Sequence, residues 1–306
     1  MIVALVLRRA AWGIGVLWLV ATITFVLLRV APGGPFDSEK QLPPEILANV
    51  EAKYHLDEPL WRQYARYIGG LVRGDLGPSF KYLGRDVATI LIETFPVSCA
   101  LGVVALGIAL LVGLAFGIAA GSRADGCVDR GGMLLATAGV ALPNFVLGVA
   151  LVLVVSHRLH WLPPALWEGP RYVLLPALTL GLGPAAYIAR LTRASLLDVA
   201  RQDYVRTAYA KGLSHRAVLF THQLPNALLP VVAIVGPLTA ALITGSFVVE
   251  YLFAIPGMGR FFITAVTNRD YPLIMGATLL YAALLVIANL VTDVAASRLD
   301  PRIRLE

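Results

Sequence analysis

The chain has 306 residues, of which 58% are hydrophobic and 14% charged, with a formal net charge of +6. Soluble domains carry about 25% charged residues, so a soluble enzyme or soluble binding module is excluded, and the mean hydropathy of +0.75 agrees. The positive charge sits in loops beside apolar runs and is not interleaved with aromatics, which argues against a nucleic-acid partner.

Six runs, 10–28, 97–121, 131–156, 173–189, 226–249 and 273–292, lack Asp, Glu, Lys and Arg. A spanning helix needs about 20 apolar residues, so the chain reads as an all-α integral membrane protein with six transmembrane helices. The first run follows Arg8-Arg9, is long for a signal peptide and is followed by no small-residue cleavage site, so it reads as an uncleaved first span. Pro43 and Pro44 then open a long outer loop. Ile46, Leu47, Val50 and Tyr54 recur in it at helical spacing, as do Leu60, Trp61, Tyr64, Tyr67, Ile68 and Leu71. Two short amphipathic helices are expected there, either covering the spans or docking an external protein. Gly74-Asp75-Leu76-Gly77-Pro78 reads as a turn.

In the second span, Gly113, Gly117 and Gly121 form a small-residue face, suited to helix packing within one subunit or between subunits. Cys99 and Cys127 fall at opposite ends of that span, too far apart for a disulfide. The third run is interrupted by Pro143, which implies a kink or a turn before it. His157 and His160 follow at its end with Trp161, as in an interfacial belt, and lack the acidic partner of a metal site. The fourth run is short and reaches Arg190 by snorkelling.

With the N-terminus inside, the inner flanks hold thirteen basic residues, from Arg8 to Arg304, against Arg158, Arg171, Arg260 and Arg269 in the short outer loops. That asymmetry places both termini in the cytosol. Glu250 and Asp293 lie at span edges and no acid lies deep in a span, which weakens ion-coupled transport. No phosphate-binding loop, no H-E-x-x-H and no catalytic constellation is present, so no catalytic residue, metal site or resident cofactor is expected.

Between the fourth and fifth spans, 190–223 carries six Lys or Arg. Gly212 is a natural helix terminator, Lys211 suits the end of the helix dipole, and Ser214 suits an N-cap. A helix–Gly–helix knob on the cytosolic face follows. Its residues leave two readings open, a membrane-surface helix or a docking element.

The spacing from Arg206-Thr207-Ala208 to Gly212 and on to Leu224-Pro225 resembles the "EAA" loop of membrane subunits of binding-protein-dependent ABC importers. Arg206 stands where that pattern has Glu, Thr207 where it has Ala and His222 where it has Ile; Ala208, Gly212, Leu224 and Pro225 match. These departures resemble the dipeptide/oligopeptide/nickel branch. The blocks Arg29-Val30-Ala31-Pro32-Gly33, Gly77-Pro78-Ser79-Phe80, Pro256-Gly257-Met258-Gly259, Arg269-Asp270-Tyr271 and Asp300-Pro301-Arg302-Ile303 are similar to its oligopeptide B-type subunits.

The resemblance implies a type I ABC importer permease fold in the bacterial inner membrane. Its two parts would be 1–92, the first span with periplasmic helices, and 93–306, a five-span core with a coupling loop at 190–225. It implies four kinds of partner besides the bilayer: a second related permease subunit, two cytosolic ATPase subunits carrying ATP and Mg, and a periplasmic binding protein delivering oligopeptide. Arg206, Thr207, Ala208, Tyr209, Lys211, Gly212, Leu213, Leu224 and Pro225 would form the ATPase-coupling segment, anchored by Ala208, Tyr209 and Leu213. Candidate path residues are Ser98, Asn144, Thr244 and Ser246. Glu250, Arg260, Arg269 and Asp270 are candidates at the outer mouth, meeting the binding protein or peptide termini or standing solvated. A dipeptide, glutathione, nickel-chelate or sugar cargo is the alternative within the class; an ATP-independent carrier or channel, or a membrane enzyme, lies outside it.

Overall fold

A computed structural model of the chain describes residues 2–36, 52–122, 126, 129–132, 134, 142–244 and 246–299. Among them the fold is helical, with one isolated bridge between Pro78 and Asp86 and no strand. Five helices are long and apolar enough to cross a bilayer. The first outer helix expected from Pro43 to Tyr54 lies largely outside the described residues.

Helix α1 (Ile2–Val30) is followed by α2 (Leu60–Val72), the second of the expected amphipathic helices. It covers the C-terminal end of α1. Tyr64 shares a 2.7 Å hydrogen bond with Thr22, and its ring meets Phe25 edge-on at 5.2 Å. The Arg29 guanidinium lies 3.5 Å over the Phe25 ring and donates to Gln63 at 3.0 Å. Burial pushes the Tyr67 phenol up to about 12, so it stays neutral in this aromatic layer.

Helix α3 (Val87–Ser122) has 36 residues and is about 54 Å long at 1.5 Å per residue, longer than the roughly 30 Å hydrocarbon core. It begins ten residues before the apolar run at 97, and its first turns carry the partly exposed Glu93, which pairs with Arg85. Helix α4 (Asn144–Leu151) starts directly after Pro143 and continues in wider π-helical turns over Val152–Arg158. The third apolar run is therefore broken at Pro143, whose missing N–H and fixed φ suit a helix start.

Helix α5 (Pro170–Ala200) corrects the fourth span most. It does not stop at Arg190 but runs ten residues further, and Arg193 forms a two-pronged pair with the buried Asp129, 2.7 Å on one side. The glycine face of α3 packs on α5. A Cβ on Gly113 would lie 2.7 Å from the Ala185 carbonyl, one on Gly117 2.6 Å from Thr192 Cβ, and one on Gly121 3.0 Å from Leu196. The small-residue face is thus an internal seam. Gly117→Leu is expected to force the two helices apart at about 1–3 kcal/mol or more and to abolish accumulation of folded protein in membranes. Gly107→Leu, where nothing lies within 4 Å, is expected to accumulate normally.

Four short elements follow: α6 (Asp203–Ala210), α7 (His215–Val218), a π-helical turn over Leu219–Gln223, and α8 (Leu224–Ala227). The fifth apolar run is two helices. Helix α9 (Leu229–Ile243) ends near Thr244, and α10 (Phe247–Leu252) restarts with the Ser246 hydroxyl accepting from the Val249 N–H. Helix α11 (Met258–Asn268) and the long α12 (Tyr271–Leu299) complete the bundle. Near the termini Arg9 pairs with Asp293 at 3.1 Å, tying α1 to α12.

Candidate functional site

The segment 201–228 forms a capped knob at the end of the bundle where α5 terminates. At the end of α6, the Gly212 N–H bonds to the Tyr209 carbonyl at 2.9 Å and the Leu213 N–H to the Ala208 carbonyl at 3.4 Å, with Gly212 at φ +81°. This is a Schellman termination, which satisfies the helix's last carbonyls and needs a left-handed residue at position 212. Ser214 then caps α7, accepting from Ala217 at 3.4 Å. The Tyr209 hydroxyl and His215 Nδ1 share a 2.8 Å hydrogen bond with their rings stacked.

Val205, Ala208 and Val218 are buried against one another and against Val199 at the end of α5. The knob is therefore built onto α5 by its own apolar core. Leu224 is buried with Leu196, Leu219 and Ala227, and Pro225 opens α8 on the surface. Arg206, Thr207 and Lys211 are exposed, and Arg206 lies 3.8 Å from Asp203 in a solvated pair. Ala208, expected as an anchor for a partner, is only 4% exposed and serves the knob's own core. The exposed apolar groups are Tyr209, Leu213, Tyr204 and Phe220. The last two were missed in the sequence. For Tyr204 the signal was the apolar pair Val205 and Ala208 at i, i+3, whose burial turns the neighbouring aromatic outward; Phe220, on the π-helical turn beyond α7, carried no such signal.

At the opposite end the residues expected at a mouth form two buried clamps. Glu250 is fully buried. It accepts from the Ser98 hydroxyl at 2.7 Å and from the Arg260 N–H at 3.2 Å, while Ser98 accepts from the Met258 N–H at 2.8 Å. Gly257 and Gly259 allow this approach: a Cβ at either would lie 2.5 or 2.9 Å from Glu250 Oε2. The carboxyl thus sits at the N-terminus of α11, where backbone N–H groups and the helix dipole favour it. It joins α3, α10 and α11.

Asp270 is likewise fully buried. It accepts from the Ser79 hydroxyl, from the Phe80 N–H at 3.1 Å and from the Leu273 N–H at 3.4 Å, fastening the 74–86 loop to the start of α12. Neither acid is solvated or free to meet a partner, in contrast to the expectation for a mouth. Buried carboxylates persist where donors surround them, and both have such donors. Arg260 is exposed, and Arg269, half-buried, donates to the Gly34 carbonyl at 3.2 Å.

The four candidate path residues are not brought to one place. Ser98 belongs to the Glu250 clamp, and Ser246 caps α10. Asn144 is exposed at the start of α4, with its Oδ1 3.6 Å from where a Gly183 Cβ would stand, near the middle of α5. Thr244 bonds to the Ala240 carbonyl at 2.8 Å and lines a cleft of about 330 Å³ with Phe247, Phe262, Thr278 and Tyr281.

The sequence matches the family described as "Binding-protein-dependent transport system inner membrane component" over residues 113–305, and the N-terminal family of the same transport systems over residues 1–102. The dipeptide transport system permease protein of Bacillus subtilis (strain 168) is 45% identical over 94% of this chain and 93% of its own length. The oligopeptide transport system permease protein of Escherichia coli (strain K12) is 41% identical over 98% of both. Among solved structures, an inward-facing form of the MetNI methionine ABC transporter superposes with TM-score 0.51 at 17% identity, covering 71% of this chain and 97% of that one. An amino acid ABC transporter with histidines gives 0.51 over 70% and 94%. These two share the fold, which is that of type I ABC importer permeases. The chain belongs to the family of binding-protein-dependent transport system inner membrane components.

Proposed function

We propose that this chain is the permease subunit of an ATP-driven importer that takes up oligopeptides across the bacterial inner membrane, with both termini and the knob in the cytosol. The observation that carries this reading is the near full-length likeness to peptide-transport permeases, combined with a knob whose core is welded to α5 while its aromatics face outward. A cytosolic ATPase subunit would seat on Tyr204, Tyr209, Leu213 and Phe220. Its movement on binding and hydrolysing ATP and Mg would be passed to α5, and through the glycine seam to α3. This chain performs no chemistry in the cycle. A second related permease subunit would complete the path, and a periplasmic binding protein would load peptide at the end holding the Glu250 and Asp270 clamps.

A dipeptide cargo is the second reading, supported by the 45% identity to a permease named for dipeptide transport. Competition against a labelled peptide, with unlabelled peptides of two to six residues, separates the two in membranes holding the assembled transporter. The oligopeptide reading expects competition by the longer peptides and little by dipeptides. The reverse order establishes the dipeptide reading, and no competition by any peptide contradicts both.

A further inference from the structure

At the end of the bundle opposite the knob, the π-helical turn after α4 and the start of α5 enclose a cleft of about 720 Å³, separate from the Glu250 and Asp270 clamps. Its lower wall is apolar, from Val152 and Leu153, and its upper wall carries His157, His160, Trp161, Arg171 and Tyr172. Among the described residues no carboxylate lines it; Glu168, nearby, accepts from the Tyr172 hydroxyl at 3.2 Å.

Ser156 also lines the cleft. It is 8% exposed. Arg171 spends one amino group on the Trp161 carbonyl at 3.0 Å, which aims the guanidinium and leaves its other N–H groups open. It sits in the first turn of α5, whose N-cap, Gly169, offers no side-chain acceptor. His160 is held in the left-handed region at φ +53°, a conformation in which His is enriched. Open N–H donors of Arg171 and two imidazoles lining one cleft describe an anion site.

The apolar surface decides between a soluble anion and a lipid. Val149, Leu153 and Val154 are exposed along the helix leading up to the cleft, and Trp161 at its rim is 65% exposed. A tryptophan above an apolar helix face marks the level of lipid headgroups. We propose that this cleft binds an anionic phospholipid, its phosphate received by Arg171, His157, His160 and Ser156 and its acyl chain lying along Val152 and Leu153. The proposal is independent of the cargo.

Native mass spectrometry of the full-length chain, assembled with its partner subunits and released from nanodiscs containing equal phosphatidylglycerol and phosphatidylcholine, tests it. Wild type is expected to retain phosphatidylglycerol preferentially. Arg171→Gln is expected to lower that preference by about fivefold, the factor associated with one basic residue near an anionic surface, and Arg171→Lys to keep most of it. Because His160 is exposed, His160→Gln provides a second variant that leaves the packing intact, and it is expected to lower retention in the same direction. Equal retention of both lipids, an unchanged preference in Arg171→Gln and His160→Gln, or displacement of the lipid by inorganic phosphate would each overturn the proposal.

Discussion

Tyr209→Ala is expected to release the ATPase subunits and stop peptide uptake while the permease remains folded. An aromatic anchor at the centre of an interface contributes about 2 kcal/mol or more when truncated, or about thirtyfold in affinity. Tyr209 is 41% exposed, yet its orientation is fixed by its hydrogen bond and ring stacking with His215. It is therefore presented to a partner with little ordering cost. Tyr209→Phe keeps the ring and its stacking on His215 and loses one exposed hydrogen bond to His215 Nδ1, so it is expected to retain most ATPase recruitment. Leu213→Asp, at another exposed position, is expected to behave like Tyr209→Ala. Gly212→Val acts differently, by placing a β-branched residue at φ +81°; it is expected to melt the Schellman termination at about 1–2 kcal/mol or more and misdirect Leu213. Co-purification of tagged permease with its ATPase subunits reads all four variants. Wild-type recruitment by both Tyr209→Ala and Leu213→Asp would show that the knob is not the docking element.

The second large effect is expected at Glu250. Glu250→Ala leaves the Ser98 hydroxyl and the Arg260 N–H without their acceptor in a fully buried site. Each unpaired buried group costs about 1–3 kcal/mol, so a loss of about 3 kcal/mol is expected, read as a fall in thermal stability and in the amount of protein in membranes. Glu250→Gln keeps an acceptor oxygen and is expected to lose about 1 kcal/mol, the usual net value of one hydrogen bond. Arg260→Ala is expected to be neutral, because Arg260 contributes only its backbone N–H to the clamp. A Glu250→Ala protein as stable as wild type would mean that the clamp does not hold α10 and α11 to α3.

Much of this architecture was legible in the sequence. Charge-free runs of span length announced the membrane helices, because a charge at the centre of a bilayer is costly. The spacing of Gly212 and Ser214 announced the turn of the knob, because a left-handed residue and a cap hydroxyl have few other uses. The ends of α3 and α5 were not legible. A helix that leaves the membrane into water needs no apolar run to continue, and Glu93, Arg190 and Arg193 continue it. The break between α9 and α10 was hidden because Thr244 and Ser246 carry no charge, so the run reads as one span. The clamps were hidden for another reason. Glu250 and Ser98 are 152 positions apart, and Asp270 and Ser79 are 191. A buried acid whose donors lie so far away along the chain reads as a surface charge at a span edge. The same loss of tertiary context made Ala208 look like a contact for a partner when it fills the knob's own core.

The most direct measurement is uptake of a labelled oligopeptide into vesicles holding the permease pair and binding protein, with the ATPase subunits present or absent. The expected result is accumulation only with ATPase subunits and ATP present, lost again when this chain carries Tyr209→Ala. Accumulation in vesicles lacking every ATPase would contradict the reading of this chain as a passive permease driven through its knob.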